Sequence, residues 1–336
     1  MGDGSTTGGS VSVIQLPRFL TARSCGETIA VCQAIQDEES DVVIDAARLR
    51  FVDPFGLTLL GATFQELQGW GQRVVVHRVS ADVGSYLQRM DLFRGVDLQG
   101  FTPAGQRWDR RDSLVELTCI DDHTAASDAA GRLANALIGA VPGIDLNEEP
   151  DDMSGQTEAT RLGSPIKYVL SELLENALTH ARRAGYKGAR VWIAGQYYQR
   201  NDLFRLAVTD NGCGFLGTLR DHPDLRRKTH REAILTAMKP RVSCNRDLGI
   251  RTDTVNEGVG LTTVLRIARA ADGRALIASG DAYHNPATAG GSLPVGTFWQ
   301  GVSVALELRR IKLETIRIGR LLPTLEDMPR VPIRFE

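Results

Sequence analysis

Three polar side chains recur every four residues within one apolar-rich stretch: Glu172, Asn176 and His180. A spacing of four places side chains one above the other on the same face of an α-helix. The leucines and alanines around them follow the i, i+3, i+4 pattern of a buried stripe, which predicts a helix over about 162–183. A carboxylate, a carboxamide and an imidazole on one helix face could bind a ligand together. The same pattern is also consistent with an ordinary amphipathic helix whose polar side faces water.

Two glycine-rich segments lie further along the chain, each next to a predicted element. The segment DNGCGF (210–215) follows a predicted strand, and EGVGL (257–261) opens a predicted helix. Glycine lets a backbone approach a planar base closely, and a helix start offers free N–H groups to phosphate. Each segment alone is a weak signal, because glycine-rich turns are common. Their order after the helix at 162–183 gives the three segments weight as a set.

The order of these three segments resembles the N, G1 and G2 boxes of the GHKL ATPase superfamily. That superfamily includes the gyrase B subunit, heat-shock chaperones, MutL, sensor histidine kinases and anti-sigma-factor serine kinases. The Glu-x-x-x-Asn-x-x-x-His spacing from Glu172 to His180 looks most like the serine kinases. Sensor histidine kinases generally carry Asn where this chain has Glu172.

The resemblance implies ATP and Mg²⁺ as cofactors and assigns roles to single residues. Glu172 would be the catalytic residue, as general base or as the group that orients the nucleophile. Asn176 would bind Mg²⁺, and Asp210 would accept a hydrogen bond from the adenine amino group. The further implied ATP-binding residues are His180, Gly212, Gly214, Gly258, Val259, Gly260, Leu261 and, at the position of the G3 threonine, Thr297. Two alternatives stay open: His180 as a hydrogen-bonded helix-terminal residue, and Thr297 as a plain strand threonine.

The N-terminal part of the chain alternates short apolar strands with helices, which predicts a small α/β domain over 11–103. Its stretch DVVIDAARLRFVDPFGLTLLG (41–61) resembles the STAS domain of anti-sigma-factor antagonists. In that family a serine in the turn before the helix accepts phosphate, but here Phe55 stands at that position and has no hydroxyl. Thr58 is nearby, at another place in the predicted helix 57–70. The resemblance therefore implies a docking or dimerisation module; an α/β domain of another origin is the alternative.

The predicted fold class is α/β (α+β): a small STAS-like α/β domain, then a GHKL (Bergerat) α/β sandwich. The sandwich would carry helices on one face of a mixed, mainly antiparallel sheet. The predicted segments are a flexible leader (1–10), the STAS-like domain (11–103), the ATP-binding domain (113–308) with its lid at about 215–257, and a C-terminal tail (309–336). An unrelated surface excursion is the alternative for the lid, and 280–295 is predicted to be a long loop.

Composition limits the classes of function. The chain has 336 residues, 42% hydrophobic and 24% charged, with a net charge of -2, so nothing global favours nucleic acid or an anionic membrane. There is no apolar run of about 18 residues that would predict a transmembrane helix. The five cysteines form no Cys-x-x-Cys pair, which fits a reducing, cytoplasmic setting and disfavours a disulfide framework or a zinc site.

These features predict a Mg-ATP-binding protein of bacterial-type signalling or regulation. It would transfer the γ-phosphate to Ser or Thr of a partner protein, which could itself be STAS-like. The alternative is a slow ATPase that acts as an ATP-gated conformational switch, or a protein-interaction module without protein phosphorylation. A homodimer is compatible with either reading.

Overall fold

The computed structural model describes residues 13–102, 114–122, 125–153, 155–240, 242 and 259–324. The predicted leader, the segment between the two predicted domains (103–113), most of the second half of the predicted lid and the end of the tail lie outside the described residues. Among the described helices, none combines the length and the apolar character needed to cross a bilayer.

The first part of the chain, here called the N-terminal module (13–102), is a parallel α/β unit. Strands β1, β3, β5 and β6 form a four-stranded parallel sheet in that order, and β2 pairs with β4. Its elements are β1 (Val13–Gln15), β2 (Phe19–Leu20), α1 (Cys25–Gln36), β3 (Val42–Asp45), β4 (Phe51–Val52), α2 (Pro54–Gly69), β5 (Val74–His77), α3 (Ala81–Arg89) and β6 (Asp97–Gln99).

Helix α2 starts three residues before the predicted position. Asp53 caps it, because its Oδ1 accepts a hydrogen bond from the N–H of Gly56 at 3.1 Å. Pro54 follows at the first helical position, where its fixed φ suits a helix and its missing N–H costs nothing. Phe55 is therefore inside the helix and is 0% exposed.

The second part of the chain folds around a seven-stranded sheet with the order β12-β11-β10-β13-β9-β8-β7. Every pairing between its described strands is antiparallel, in line with the mainly antiparallel sheet expected. Its elements are β7 (Leu114–Ile120), α4 (Ala126–Gly139), α5 (Glu158–His180), β8 (Val191–Tyr198), β9 (Leu203–Asp210), α6 (Gly214–Leu219), α7 (His230–Ala237), α8 (Gly260–Ala270), β10 (Arg274–Gly280), β11 (Ala282–Asn285), β12 (Ala289–Ser292), β13 (Trp299–Arg309) and α9 (Arg310–Leu313).

Both faces of this sheet are covered. Alternate residues of a strand point to opposite faces, so Ile193 and Val208 share a core with α4, α5 and α8. Trp192 and Ala207, one residue away on the same strands, share a different core with α2 of the N-terminal module. The helix layer was expected on one face, whereas the docking of α2 on the other face was not predicted.

Three segments of the second part of the chain form elements that were not predicted. The prediction of a long loop over 280–295 is wrong, because β11 and β12 form an antiparallel hairpin there. In this hairpin Ala282 pairs with Ser292 and Asn285 with Ala289. The start of the tail forms the short helix α9, and Leu313 is buried in the core with α5. The predicted lid also begins with a helix, α6, that its glycine-rich sequence concealed.

Candidate functional site

Helix α5 places the three polar residues of the first motif along one cavity. The cavity has a volume of about 280 Å³, and Glu172, Asn176 and His180 all line it. Thr157 caps the helix by accepting the N–H of Thr160 at 2.9 Å. The buried stripe of α5 faces the sheet, which leaves the intervening polar side to face the cavity.

The start of α8 lies directly against the carboxylate of Glu172. A Cβ on Gly260 would collide with Oε2 of Glu172 and would lie 3.4 Å from Nδ2 of Asn176. Only glycine therefore lets the N-terminus of α8 come this close to both polar groups. The arrangement brings a carboxylate, a carboxamide and a helix N-terminus, which attracts anions, to one place.

Tyr168 lies one helical turn before Glu172, and its hydroxyl acts on the pKa of that carboxyl. Burial raises the pKa of Glu172, while the hydroxyl of Tyr168 lowers it and the charge of Glu175 raises it further. A carboxylate with a raised pKa is a better proton acceptor than an exposed one. Tyr168 was not among the predicted site residues, although its i, i+4 spacing from Glu172 was a usable signal.

Asp210 ends β9 at the inner wall of the cavity and is 3% exposed. Its Oδ1 accepts the N–H of Gly212 at 2.9 Å. Burial raises the pKa of this carboxyl to about 7, and the backbone N–H groups of Gly212 and Val302 lower it only partly. Among the described contacts of its side chain there is no cationic partner, so a ligand that donates a hydrogen bond would stabilise the charged form.

The turn after Asp210 is held by close packing. Gly212 lies so near Ala181, at the end of α5, that a Cβ would collide with its backbone. Gly214 has a φ of +67°, and a Cβ there would lie 2.9 Å from Oγ of Ser279. Both positions require glycine, for space at the first and for a left-handed conformation at the second.

Two residues that the sequence analysis missed also hold this turn. The indole N–H of Trp299 donates to the carbonyl oxygen of Asp210 at 3.1 Å, and Nε2 of Gln300 donates to the carbonyl oxygen of Gly212 at 2.8 Å. Both belong to the start of β13. Their contacts depend on strand pairing, which no local sequence pattern reveals.

The structure brings most of the expected residues together but not all. Those that line the cavity are Glu172, Asn176, His180, Asp210, Gly214, Gly260 and Leu261. Gly212 and Val259 are buried beside it without lining it. Thr297 does not line the cavity: it is buried in the turn before β13, where its N–H donates to the carbonyl oxygen of Pro294 at 2.9 Å. Gly258 lies outside the described residues.

The remaining wall of the cavity is largely apolar, as expected where a planar base is bound. These side chains were not among the predicted site residues and come from α5, β9, α6 and β13: Ala177, Val208, Phe215, Leu219, Val302 and Val304. Within the described ranges, no group of three or more His, Cys, Asp or Glu side chains could hold a metal ion. A divalent cation at this site would therefore rely on Asn176, on water and on oxygen atoms of a ligand.

The comparison with protein families agrees with this geometry. The family model described as "Histidine kinase-, DNA gyrase B-, and HSP90-like ATPase" matches residues 163–304, the stretch from α5 to β13. The match supports an ATP-binding domain of the GHKL superfamily in this part of the chain. No significant match was found among curated proteins or among solved structures.

Proposed function

We propose that this protein binds Mg-ATP in the cavity between α5 and α8 and transfers the γ-phosphate to Ser or Thr of a partner protein. The observation that carries the proposal is the placement of Glu172 and Asn176 against Gly260, in one cavity with the buried carboxyl of Asp210. The nucleotide half of the proposal rests on the family match, and the reaction rests on the chemistry of Glu172.

The residues of the cavity fit the two parts of ATP. Asp210 is a buried acceptor without a cationic side-chain partner among its described contacts, which suits the exocyclic amino group of adenine. The N-terminus of α8 suits phosphate, and the amide oxygen of Asn176 suits Mg²⁺, a cation that keeps several waters and bridges phosphates. Bound Mg-ATP would supply the transferable phosphoryl group and a metal that offsets its charge.

Glu172 would act on the attacking hydroxyl. The carboxylate takes the proton as the hydroxyl oxygen bonds to the γ-phosphorus; the bond from that phosphorus to the β,γ-bridging oxygen breaks, and ADP leaves. The hydroxyl of Tyr168, one turn earlier in the helix, favours the charged form of this carboxyl. The raised pKa of Glu172 moves it closer to neutral pH, where a general base works best.

The acceptor would belong to another molecule. Phe55 occupies the place of the acceptor serine in the resembled STAS domains, and Thr58 is 0% exposed. Thr58 also faces the sheet surface opposite the cavity, where its hydroxyl is 2.7 Å from that of Thr209. We therefore propose the N-terminal part (11–103) as a STAS-like docking module, 113–308 as the ATP-binding domain with its lid at about 215–257, and 309–336 as a tail.

A slow, ATP-gated conformational switch is the second candidate function. The observation that favours it is the shared core between α2 and the sheet that carries Asp210, because such packing could convert nucleotide binding into a change in the module. In that case Glu172 would orient water instead of a partner's hydroxyl. A homodimer remains part of both proposals.

A phosphate-transfer assay separates the two. The purified chain is incubated with γ-labelled Mg-ATP, alone and with soluble extract of the source cell, beside Glu172→Gln, which keeps the size of the side chain but cannot accept the proton. Label on a discrete partner protein that disappears in the variant supports the kinase. Free labelled phosphate without labelled protein supports the switch, and equal transfer by the variant removes Glu172 from the reaction.

A further inference from the structure

Helix α2 of the N-terminal module contacts the turn that follows Asp210. Nδ2 of Asn211 donates to Oε1 of Glu66 at 2.5 Å, and the other oxygen of Glu66 accepts from Nε2 of Gln36 at 2.5 Å. Hydrogen bonds to a charged acceptor are stronger and more directional than neutral ones. Glu66 thus ties α1 and α2 to the residue directly after Asp210.

Asn211 is fixed at both ends of its amide. While Nδ2 donates to Glu66, Oδ1 accepts the N–H of Arg190 at 2.8 Å, just before β8. Two residues after Arg190, within β8, the indole N–H of Trp192 donates to Oε1 of Gln65 at 2.9 Å. The C-terminal half of α2 therefore fixes this end of the sheet through two neighbouring residues, Gln65 and Glu66.

A second contact lies on the other side of Asp210. The hydroxyl of Thr58 is 2.7 Å from that of Thr209, which is in turn 2.7 Å from that of Ser303 on β13. All three hydroxyls are buried. Helix α2 therefore contacts the residue before Asp210 and the residue after it, while the carboxyl of Asp210 points into the cavity on the opposite face.

We propose that Glu66 is a positioning residue for the nucleotide site, which holds Asp210 in place for the adenine amino group through Asn211. A carboxyl that recognises adenine through one hydrogen bond from its amino group has to be positioned to within a fraction of an ångström. The carboxyl of Asp210 is hydrogen-bonded to the backbone of Gly212, the residue after Asn211, so a shift of Asn211 moves this carboxyl. This inference rests on the proposed ATP site and extends it to the N-terminal module.

The test compares ATP with ITP, which carries a carbonyl in place of the adenine amino group. Two acceptors would then face each other, so the wild-type chain should bind ATP more tightly than ITP. Glu66→Ala should reduce this preference by about tenfold, by weakening ATP binding while ITP binding changes little. Glu66→Gln should restore it, because an amide oxygen can still accept from Asn211 and Gln36 can rotate its amide.

Gln68→Ala is the matched control. Gln68 is two residues further along α2 and donates to the carbonyl oxygens of Arg94 and Gly95, within the module. Its loss should leave the ATP-over-ITP preference unchanged. Combining Glu66→Ala with Asn211→Ala should cost less than the sum of the two single changes, since both remove the hydrogen bond that joins these two residues.

The possible results separate the inference from the site itself. If Asp210→Asn abolishes the preference but Glu66→Ala and Asn211→Ala keep it, Asp210 reads adenine and the positioning role of Glu66 is overturned. If Glu66→Ala weakens ATP and ITP equally, its role is structural only, and the inference is again overturned. If Asp210→Asn leaves the preference intact, the assignment of Asp210 to adenine fails, and the positioning inference fails with it.

Discussion

Gly260 lies so close to Glu172 that no residue with a side chain fits at position 260: an added Cβ would collide with Oε2 of Glu172. The two residues come from α8 and α5, which are separated in the sequence by the strands β8 and β9 and the helices α6 and α7. Their contact joins the helix N-terminus that suits phosphate to the carboxylate that would activate the attacking group. The contact is the basis of the first prediction.

Gly260→Ala should lower ATP turnover by at least about tenfold, since the new methyl group displaces the carboxylate of Glu172 or the start of α8. Gly131→Ala is the control: in α4, the nearest atom to an added Cβ is Cε of Lys167 at 3.9 Å. That change should stabilise the helix by about 0.5–1 kcal/mol and leave turnover unchanged. Steady-state turnover and thermal unfolding of both variants test this, and full turnover by Gly260→Ala would contradict the geometry.

Tyr168→Phe should shift the pH dependence of turnover. The hydroxyl of Tyr168 stabilises the charged form of Glu172, so its removal raises the pKa of Glu172 beyond the rise that burial already causes. The acid limb of the kcat profile should therefore move to higher pH, with little change in KM for ATP. Tyr186→Phe, which changes a hydroxyl on an exposed side chain, should leave the profile as it is. An unmoved acid limb in Tyr168→Phe would show that Glu172 does not titrate in the reaction.

Asp210 should make the stability of the nucleotide-free protein depend on pH. Its pKa rises from a model-peptide value of 3.8 to about 7 in the folded chain. The stabilisation by its protonated form is complete below about pH 4 and is lost as pH rises through about 7, a change of up to about 4 kcal/mol. The Asp210→Asn variant lacks this titrating group. The stability of the variant relative to wild type should therefore increase between about pH 5 and pH 8. Denaturant unfolding at several pH values measures the difference, and a constant difference would contradict the raised pKa.

Thr58→Val should destabilise the fold by about 1–3 kcal/mol, because it breaks a buried chain of three hydroxyls and leaves Thr209 with one partner fewer. Thr58→Ser retains the hydroxyl and should cost less. Denaturant unfolding compares the two variants. Transfer of labelled phosphate to Thr58 of the folded wild-type chain would contradict the buried position of this hydroxyl.

Strong local patterns made much of the larger sheet and its helices predictable. The periodicity of α5 predicted a helix over about 162–183, within four residues of its observed ends, and the strand predicted before Asp210 is β9. The β11–β12 hairpin was missed because Gly290, Gly291 and Pro294 are typical of loops. β11 pairs with β10 and β12 pairs with β11, so pairing at the sheet outweighs local propensity here.

The docking of α2 was also missed, although a signal for it was present. Val191, Trp192, Ile193 and Ala194 form an uninterrupted apolar run, and all four are buried. Such a run is typical of a strand that is covered on both faces, whereas a sheet with one solvated face shows alternation. The hydrogen bond between Glu66 and Asn211 could not have been predicted, because it depends on how two distant segments pack.

An equilibrium titration with ATP in the presence of Mg²⁺, on wild type and Asp210→Asn, tests the central claim most directly. Asp210→Asn replaces one acceptor oxygen by an amide that donates, so the account predicts saturable binding by wild type and at least about tenfold weaker binding by the variant. Equal affinities of wild type and variant for ATP would show that adenine does not bind at Asp210. A wild-type chain that binds no ATP would contradict the proposed function itself.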